Sequence, residues 1–286
     1  MLVVTTVDKG REAVRDAQRL GRIVGLVPTM GALHEGHLSL VREARRRCQY
    51  VALTIFVNPA QFAGGEDYAV YPRPLEADLA ACRTAGVDLV FAPEVGTMYG
   101  PDAKTTVRVA SLTEVLCGPR RPGHFEGVTT VVTKLFNILP ADLAFFGEKD
   151  YQQLTVIRRM VADLNLPIEV VGCPTVREPD GLAMSSRNSY LSAAHRRQAS
   201  CLSRALFAAR DAAAAGQRDV QKLVSAVRKT ILDAGPADVE YVEIVDAATL
   251  QALAVIDRPA RICLAVRIGP TRLIDNVAVD AGRAGD

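Results

Sequence analysis

The chain has 286 residues, 49% hydrophobic and 23% charged, and its 34 Lys+Arg against 32 Asp+Glu leave a formal charge of +2. A length beyond the usual ~100–200 residues of one domain predicts two domains, with enough apolar material for a core in each. A small net charge of mixed sign excludes the broad basic face that nucleic acid or an anionic membrane requires. Neither is expected as a partner, and local anion binding favours small molecules. The six cysteines (Cys48, Cys82, Cys117, Cys173, Cys201 and Cys263) include no Cys-x-x-Cys pair, so reduced thiols are expected rather than a zinc cluster or a disulfide scaffold. The opening Met1-Leu2-Val3-Val4-Thr5-Thr6 lacks a basic lead and a long apolar stretch, so no signal peptide is expected. No apolar run approaches the ~18 residues of a membrane span, and a cytoplasmic protein is expected.

In chain order, residues 23–27 form a first apolar run, ended by Pro28. Leu38, Val41 and Cys48 then share one helical face, with Arg42, Arg45 and Arg46 mostly on the other. Residues 51–57 form a second run, ending at Asn58-Pro59. Leu75, Leu79 and Cys82 repeat the helical stripe, Gly86 stops it, and residues 87–92 follow as a third run. Val128, Val131, Val132, Leu135 and Leu139 make the next stripe, residues 143–146 the next run, Leu154, Ile157, Val161 and Leu164 a further stripe, and residues 168–171 a fifth run. Continuous apolar runs suit strands buried on both faces of a parallel sheet, and their alternation with helices predicts a doubly wound α/β domain. From about residue 176 the pattern changes to Ala- and Arg-rich helices at 192–215 and 219–233, followed by strands at 239–245, 261–268 and 272–279. That order predicts a second, smaller α+β domain, with domains at 1–175 and 176–286. The tail, residues 281–286, is expected to fray.

The richest stretch is Pro28-Thr29-Met30-Gly31-Ala32-Leu33-His34-Glu35-Gly36-His37, between the first strand and its helix. A strand's carboxyl end meeting a helix N-terminus is where α/β sheets bind ligands, and free N–H groups with the helix dipole favour phosphate there. Gly31 and Gly36 would let backbone approach a ligand, and His34 and His37 can donate charge-assisted hydrogen bonds. The spacing is one residue short of the His-Glu-x-x-His zinc motif. At a second strand-to-helix junction, Gly147 allows a turn, Glu148 follows, Lys149 supplies a point charge for phosphate, and Asp150 suits a hydroxyl or a Mg²⁺-bound water. Ser185, Ser186 and Arg187 form a candidate phosphate clamp, set in Asp180-Gly181-Leu182-Ala183-Met184-Ser185-Ser186-Arg187-Asn188. Gln61, in Asn58-Pro59-Ala60-Gln61-Phe62, and Gln153 offer donor and acceptor together, as substrate hydroxyls and carboxylates need. Arg120-Arg121-Pro122-Gly123-His124 reads either as an anion-gathering loop or as a helix lead-in.

Taken in order, PTMGALHEGH, IFVNPAQF, RPGHFEGV, FFGEKDYQQL, PTVRE and DGLAMSSRN, with Arg272-Leu273-Ile274-Asp275-Asn276 near the end, resemble the pantoate–β-alanine ligase family over nearly the whole chain. The resemblance implies a Rossmann-like nucleotidyltransferase domain that binds ATP and pantoate, and a C-terminal lid. It implies condensation of (R)-pantoate with β-alanine to pantothenate through a pantoyl adenylate, with release of AMP and pyrophosphate, in a Mg²⁺-requiring homodimer without an assigned side-chain metal site. His34, Glu35, Gly36 and His37 match the family's His-x-Gly-His signature, and Met184 to Arg187 its mobile serine loop. By the same resemblance His37 is a proton donor and His34 contacts phosphate, with Lys149, Ser185, Ser186 and Arg187 completing the catalytic set. Met30, Gly31, Ala32, Leu33, Gly147, Glu148, Lys149, Asp150 and Val176 line the ATP site. Gln61, Gln153 and Met30 hold pantoate, Gln61 also lying near β-alanine. The alternatives are another adenylyl-transferring enzyme of the superfamily or an inactive nucleotide sensor.

Overall fold

The computed structural model describes residues 1–64 and 66–280; the tail expected to fray lies outside the described residues. There are two compact units. One comprises Met1–Thr113, Gly118–Glu148 and Gln153–Pro174, and the other Glu114–Cys117, Lys149–Gln152 and the described part of Thr175–Asp286.

Among the described residues of the first unit, six parallel strands form one sheet in the order β1-β4-β3-β2-β5-β6. They are β1 (Leu2–Val4), β2 (Val24–Thr29), β3 (Tyr50–Ile55), β4 (Leu89–Phe91), β5 (Leu143–Gly147) and β6 (Glu169–Cys173). The helices are α1 (Val7–Arg19), α2 (Glu35–Arg47), α3 (Leu75–Thr84), the short α4 (Val95–Met98), α5 (His124–Ile138) and α6 (Tyr151–Asp163), whose first two residues belong to the second unit. All five apolar runs became strands because both faces are covered. On one face Val27, Val51, Leu53, Val90 and Phe145 pack with Leu40, Val41 and Ala44 of α2 and Leu79 and Cys82 of α3. On the other, Gly10 of α1 packs so closely that an added Cβ would lie 3.1 Å from Leu139. There Phe136 of α5 meets Phe146 edge-on, and Thr133 reaches Met160 of α6 at 3.1 Å. The first unit is therefore doubly wound, as expected.

The sheet order reverses between β2 and β5, since α2 leads from β2 to β3 on one side and α6 leads from β5 to β6 on the other. Pairing of β2 with β5 covers only Gly25↔Leu143 and Leu26↔Ala144 among the described residues. Beyond that point β2 stays with β3 as far as Thr29↔Ile55, and β5 with β6 as far as Gly147↔Cys173. The two central strands thus part at their carboxyl ends. Pro28 consequently lies inside β2 rather than ending it: it brings no N–H to a side where the ladder has already stopped. Some stripes also shift. The buried face of α2 is Leu40, Val41 and Ala44 rather than Leu38, while Leu75 and Leu164, at the ends of their stripes, are exposed.

The second unit contains α7 (Ala193–Ala199), α8 (Cys201–Ala214), α9 (Val220–Asp233) and an antiparallel sheet of β7 (Asp238–Asp246), β8 (Ala260–Ile268) and β9 (Thr271–Val279), in the order β7-β8-β9. The single helix expected at 192–215 breaks at Ser200, and its first piece starts where Ser192 Oγ accepts from the His195 N–H. One sheet face, with Ile262, Leu264, Val266, Leu273 and Val277, packs against Leu202, Leu206, Leu223 and Val227.

Candidate active site

The loop after β2 is built by hydrogen bonds before any ligand is considered. Thr29 ties the end of β2 to β3: its N–H donates to Thr54 Oγ1 at 3.2 Å and its hydroxyl to the Thr54 carbonyl at 2.6 Å. Gly31 N–H donates to Thr29 Oγ1, and the chain then turns through left-handed backbone at Gly31 (φ +85°) and Ala32 (φ +50°). A Cβ on Gly31 would lie 2.9 Å from Asp78 Oδ2 and 3.0 Å from Ile55. The glycine is therefore demanded by packing inside the protein, not only by a ligand's approach.

Asp78, on α3 and 2% exposed, accepts from Ala32 N–H at 2.9 Å and from Leu33 N–H at 2.8 Å. Sequence reasoning missed it, because an aspartate in a helix's first turn reads as a complement to the helix dipole. Asp78→Asn would set an NH₂ against one of the two N–H donors. We expect it to lower stability by about 1–3 kcal/mol, read as a lower urea midpoint; an unchanged midpoint would show that the loop stands without this carboxylate.

His34 is the N-cap of α2, and the two histidines form a reciprocal cap. His34 Nδ1 accepts from Gly36 N–H at 3.1 Å, and His37 Nδ1 accepts from His34 N–H at 3.3 Å. Their rings lie 4.0 Å apart between centroids. With each Nδ1 turned to the backbone, each neutral ring carries its proton on Nε2, which makes Nε2–H the donor atom. Glu35, half-exposed, pairs instead with Arg42 along the helix.

Gln61 closes a short turn, Pro59–Gln61, capped by Asn58. Asn58, 1% exposed, donates to Gln61 Oε1 and to the Gly127 carbonyl, both at 3.1 Å. Its own Oδ1 accepts from Tyr99 OH at 2.8 Å, and burial pushes the Tyr99 phenol up to about 12, so it stays a donor. Gln61 Nε2 lies 2.8 Å from Met30 Sδ, which joins two of the expected pantoate residues directly. Helix α5 abuts this turn so closely that a Cβ on Gly127 would come within 2.1 Å of the Ala60 carbonyl oxygen.

His124 Nδ1 donates to the Gln61 carbonyl at 2.7 Å while its Nε2 accepts from Arg121 at 2.9 Å. Arg121 in turn grips Glu66 with two bonds of 2.6 Å. Burial works to raise the Glu66 carboxyl, but the Arg121 hydrogen bond and charge outweigh it and hold it below the ordinary carboxylate range. The Arg-rich loop thus braces Gln61 from behind.

Strand β5 ends at Gly147 without left-handed backbone, and a Cβ there would meet nothing within 4 Å. The expected turn does not need this glycine. Glu148, Lys149 and Asp150 form a single turn leading into α6, with Lys149 Nζ 3.9 Å from the Asp150 carboxylate. Gln153 is half-buried at the start of α6, whereas its neighbour Gln152 is buried and accepts from Cys117 N–H.

In the second unit, Met184 N–H donates to the Val176 carbonyl at 3.0 Å, and Arg177 pairs with Ala183 across a short bridge. This tight hairpin delivers Ser185, Ser186 and Arg187, all half-buried. Ser185 Oγ accepts from Arg187 N–H, so it caps its own turn. Arg177 forms a two-bond pair with Asp275 at 2.7 and 2.9 Å, and Arg196 spans Glu178 and Asp180 at 2.8 and 2.9 Å.

Among the described residues no group of three or more His, Cys, Asp or Glu is placed to hold a metal ion, and no helix is long and apolar enough to cross a membrane. The six cysteines are buried and unbridged; burial pushes the thiols of Cys48, Cys82 and Cys173 up to about 11, which keeps them protonated.

A family model described as pantoate-beta-alanine ligase matches residues 2–278. The chain is 50% identical over 279 residues to a pantothenate synthetase of Trichlorobacter lovleyi, covering 98% of this chain and 99% of that one. It is 55% identical over 266 residues to a pantothenate synthetase of Heliobacterium modesticaldum, covering 93% and 95%. The crystal structure of pantothenate synthetase from Thermus thermophilus superposes with a TM-score of 0.92 at 48% identity, over 97% of this chain and 99% of that one. A pantoate-beta-alanine ligase from Francisella tularensis, complexed with beta-gamma ATP and beta-alanine, gives 0.79 at 33% identity, over 97% of both chains. Fold, ordered motifs and near-complete coverage agree: the chain belongs to the pantoate–β-alanine ligase family of enzymes.

Proposed function

We propose that the chain makes pantothenate from pantoate, β-alanine and ATP in two steps through a pantoyl adenylate. The observation that carries the reading is the paired-histidine cap at the end of β2, beside which Gln61 and Met30 are joined. In the first step the pantoate carboxylate attacks the α-phosphorus and pyrophosphate leaves. Both reactants are anionic, so the barrier falls where fixed donors meet the charge that builds on the phosphorus oxygens. His34 and His37 serve with Nε2–H, and His37, the proton donor that the family resemblance implies, offers its Nε2–H as a hydrogen bond to the departing pyrophosphate. The N-terminus of α2 adds its dipole, and Lys149, Ser185, Ser186 and Arg187 add charge and hydroxyls. Residues 30–36, Gly147, Glu148, Asp150 and Val176 shape the nucleotide site, while Gln61, Gln153 and Met30 orient pantoate.

In the second step the uncharged amine of β-alanine attacks the acyl carbon, the bond from that carbon to the AMP oxygen breaks, and the nitrogen sheds one proton to water as the amide forms and AMP leaves. Gln61 lies near β-alanine, and holding the amine close to the acyl carbon supplies rate by proximity alone. Water must be kept from the adenylate until the amine attacks.

Mg²⁺ fits the donors present. It binds through nucleotide phosphates, waters and one or two carboxylates rather than a protein cage, and Asp150 offers such a carboxylate. When bound, the ion would offset phosphate charge. A cytoplasmic homodimer completes the proposal.

Isotope exchange between pyrophosphate and ATP, with Mg²⁺ and pantoate but without β-alanine, tests the first step. Exchange that requires pantoate is expected, and AMP released in the same mixture reads how well water is excluded. Folded protein that binds ATP yet gives no exchange would refute the adenylate mechanism.

A further inference from the structure

The motif Arg272-Leu273-Ile274-Asp275-Asn276 of β9 has no role in the chemistry above. Successive strand residues face opposite sides. Leu273 and Val277 enter the helix-covered core, which sends Asn276, 5% exposed, to the other face of the sheet. There its Nδ2 donates to the backbone carbonyl of Lys149 at 2.9 Å, and its Oδ1 accepts from Arg261 at 2.6 Å. The Arg261 guanidinium lies over the Tyr151 ring, 3.9 Å from its centroid, and Tyr151 OH donates to the Ala247 carbonyl at 2.8 Å. The turn that bears Lys149 is therefore fastened to the β7-β8-β9 sheet on both sides of residue 150.

We infer that Asn276 is a positioning residue that acts through Lys149, setting the backbone from which the ammonium reaches phosphate; this rests on the ligase reading above. A lysine carries its charge on a flexible four-carbon stem, so its aim depends on where the backbone is held. A misplacement of about 1 Å can cost on the order of 10²-fold in rate. The site also explains the choice of an amide. The carbonyl of Lys149 needs a donor while Arg261 needs an acceptor, and one asparagine meets both.

Asn276→Asp keeps the size and the acceptor for Arg261 but turns an oxygen toward the Lys149 carbonyl. It is tested in a double-mutant cycle with Lys149→Ala, read by pantoate-dependent pyrophosphate exchange at high enzyme concentration and by melting temperature. On the wild-type background we expect exchange to slow about 10-fold or more; on the Lys149→Ala background we expect a further change below about twofold. Equal slowing on both backgrounds would reveal a general structural role and overturn the inference, as would an unaffected single variant. If Asn276→Asp melts below the assay temperature, Asn276→Ser, smaller and uncharged, enters the same cycle under the same criteria. Wild-type protein without exchange would instead sink the ligase reading and this inference with it, whereas Lys149→Ala with full exchange would take Lys149 out of the catalytic set and overturn this inference alone, before Asn276 is touched.

Discussion

Lys149→Ala is expected to reduce kcat/KM for ATP-dependent pantothenate formation by about 10²–10³-fold, the usual penalty for deleting one preorganised donor from a site of developing charge. The Lys149 side chain is 20% exposed and its nearest carboxylate, on Asp150, stands 3.9 Å away. Its charge is thus held away from bulk water and only loosely neutralised by the protein, as a phosphate ligand requires. Truncation removes no part of either apolar core, so the unfolding midpoint should stay within about 0.5 kcal/mol of wild type. Steady-state kinetics with ATP varied at saturating pantoate and β-alanine checks the first half, and urea unfolding the second. Turnover within a few-fold of wild type, from protein of normal stability, would remove Lys149 from the catalytic set. His34 is the less clean position to test, because it also caps α2 and loss of a cap by itself costs about 0.5–2 kcal/mol.

The largest loss of stability is expected at Asp275→Ala. Asp275 is 1% exposed and its partner Arg177 18%, with two hydrogen bonds between them; the same carboxylate accepts from Asn276 N–H at 2.7 Å. Breaking a buried pair from one side leaves the other charge uncompensated, at about 3–5 kcal/mol. Arg177 keeps its bond to the Gly181 carbonyl at 3.1 Å and its stacking on Phe207 at 4.8 Å, which points to the lower part of that range. Because Arg177 belongs to the hairpin that delivers residues 185–187, activity should fall with stability. Two compact units need not unfold together, so denaturant curves should be followed by a probe in each. A loss below about 1 kcal/mol would mean that the pair is dispensable.

What could be read from the sequence was what neighbours in sequence decide. The strands at β2 to β6 announced themselves because helices cover both faces and leave unbroken apolar runs. Strands β7 to β9 and helix α9 did so too, the last with Asp219 at its cap. Strand β1 and helix α1 went unnoticed. The strand is three residues at an edge with Leu2 half-exposed, and the helix buries small residues, Gly10 and Ala17, that make a faint stripe.

The candidate site divides the same way. His34, His37 and Lys149 stood out by residue type at strand-to-helix junctions. The side chains that brace the site did not, because Asp78 serves a loop 45 residues earlier, His124 the Gln61 carbonyl 63 residues away and Asn276 the Lys149 carbonyl 127 away. Glycines also misled: a Cβ on Gly31 would run into Asp78 and Ile55 inside the protein, whereas a Cβ on Gly147 would meet no atom within 4 Å.

The bond from Asn276 to Lys149 also sets an order of assembly. A ribosome adds on the order of 5–20 residues per second, and 127 residues separate the two partners. The parallel sheet can therefore close around its own core on the order of ten seconds before the strand that fastens the Lys149 turn has been made. Through that interval the nascent chain carries the Lys149 turn without the strand that fastens it. A chain that stopped short of β9 would lack that fastening altogether.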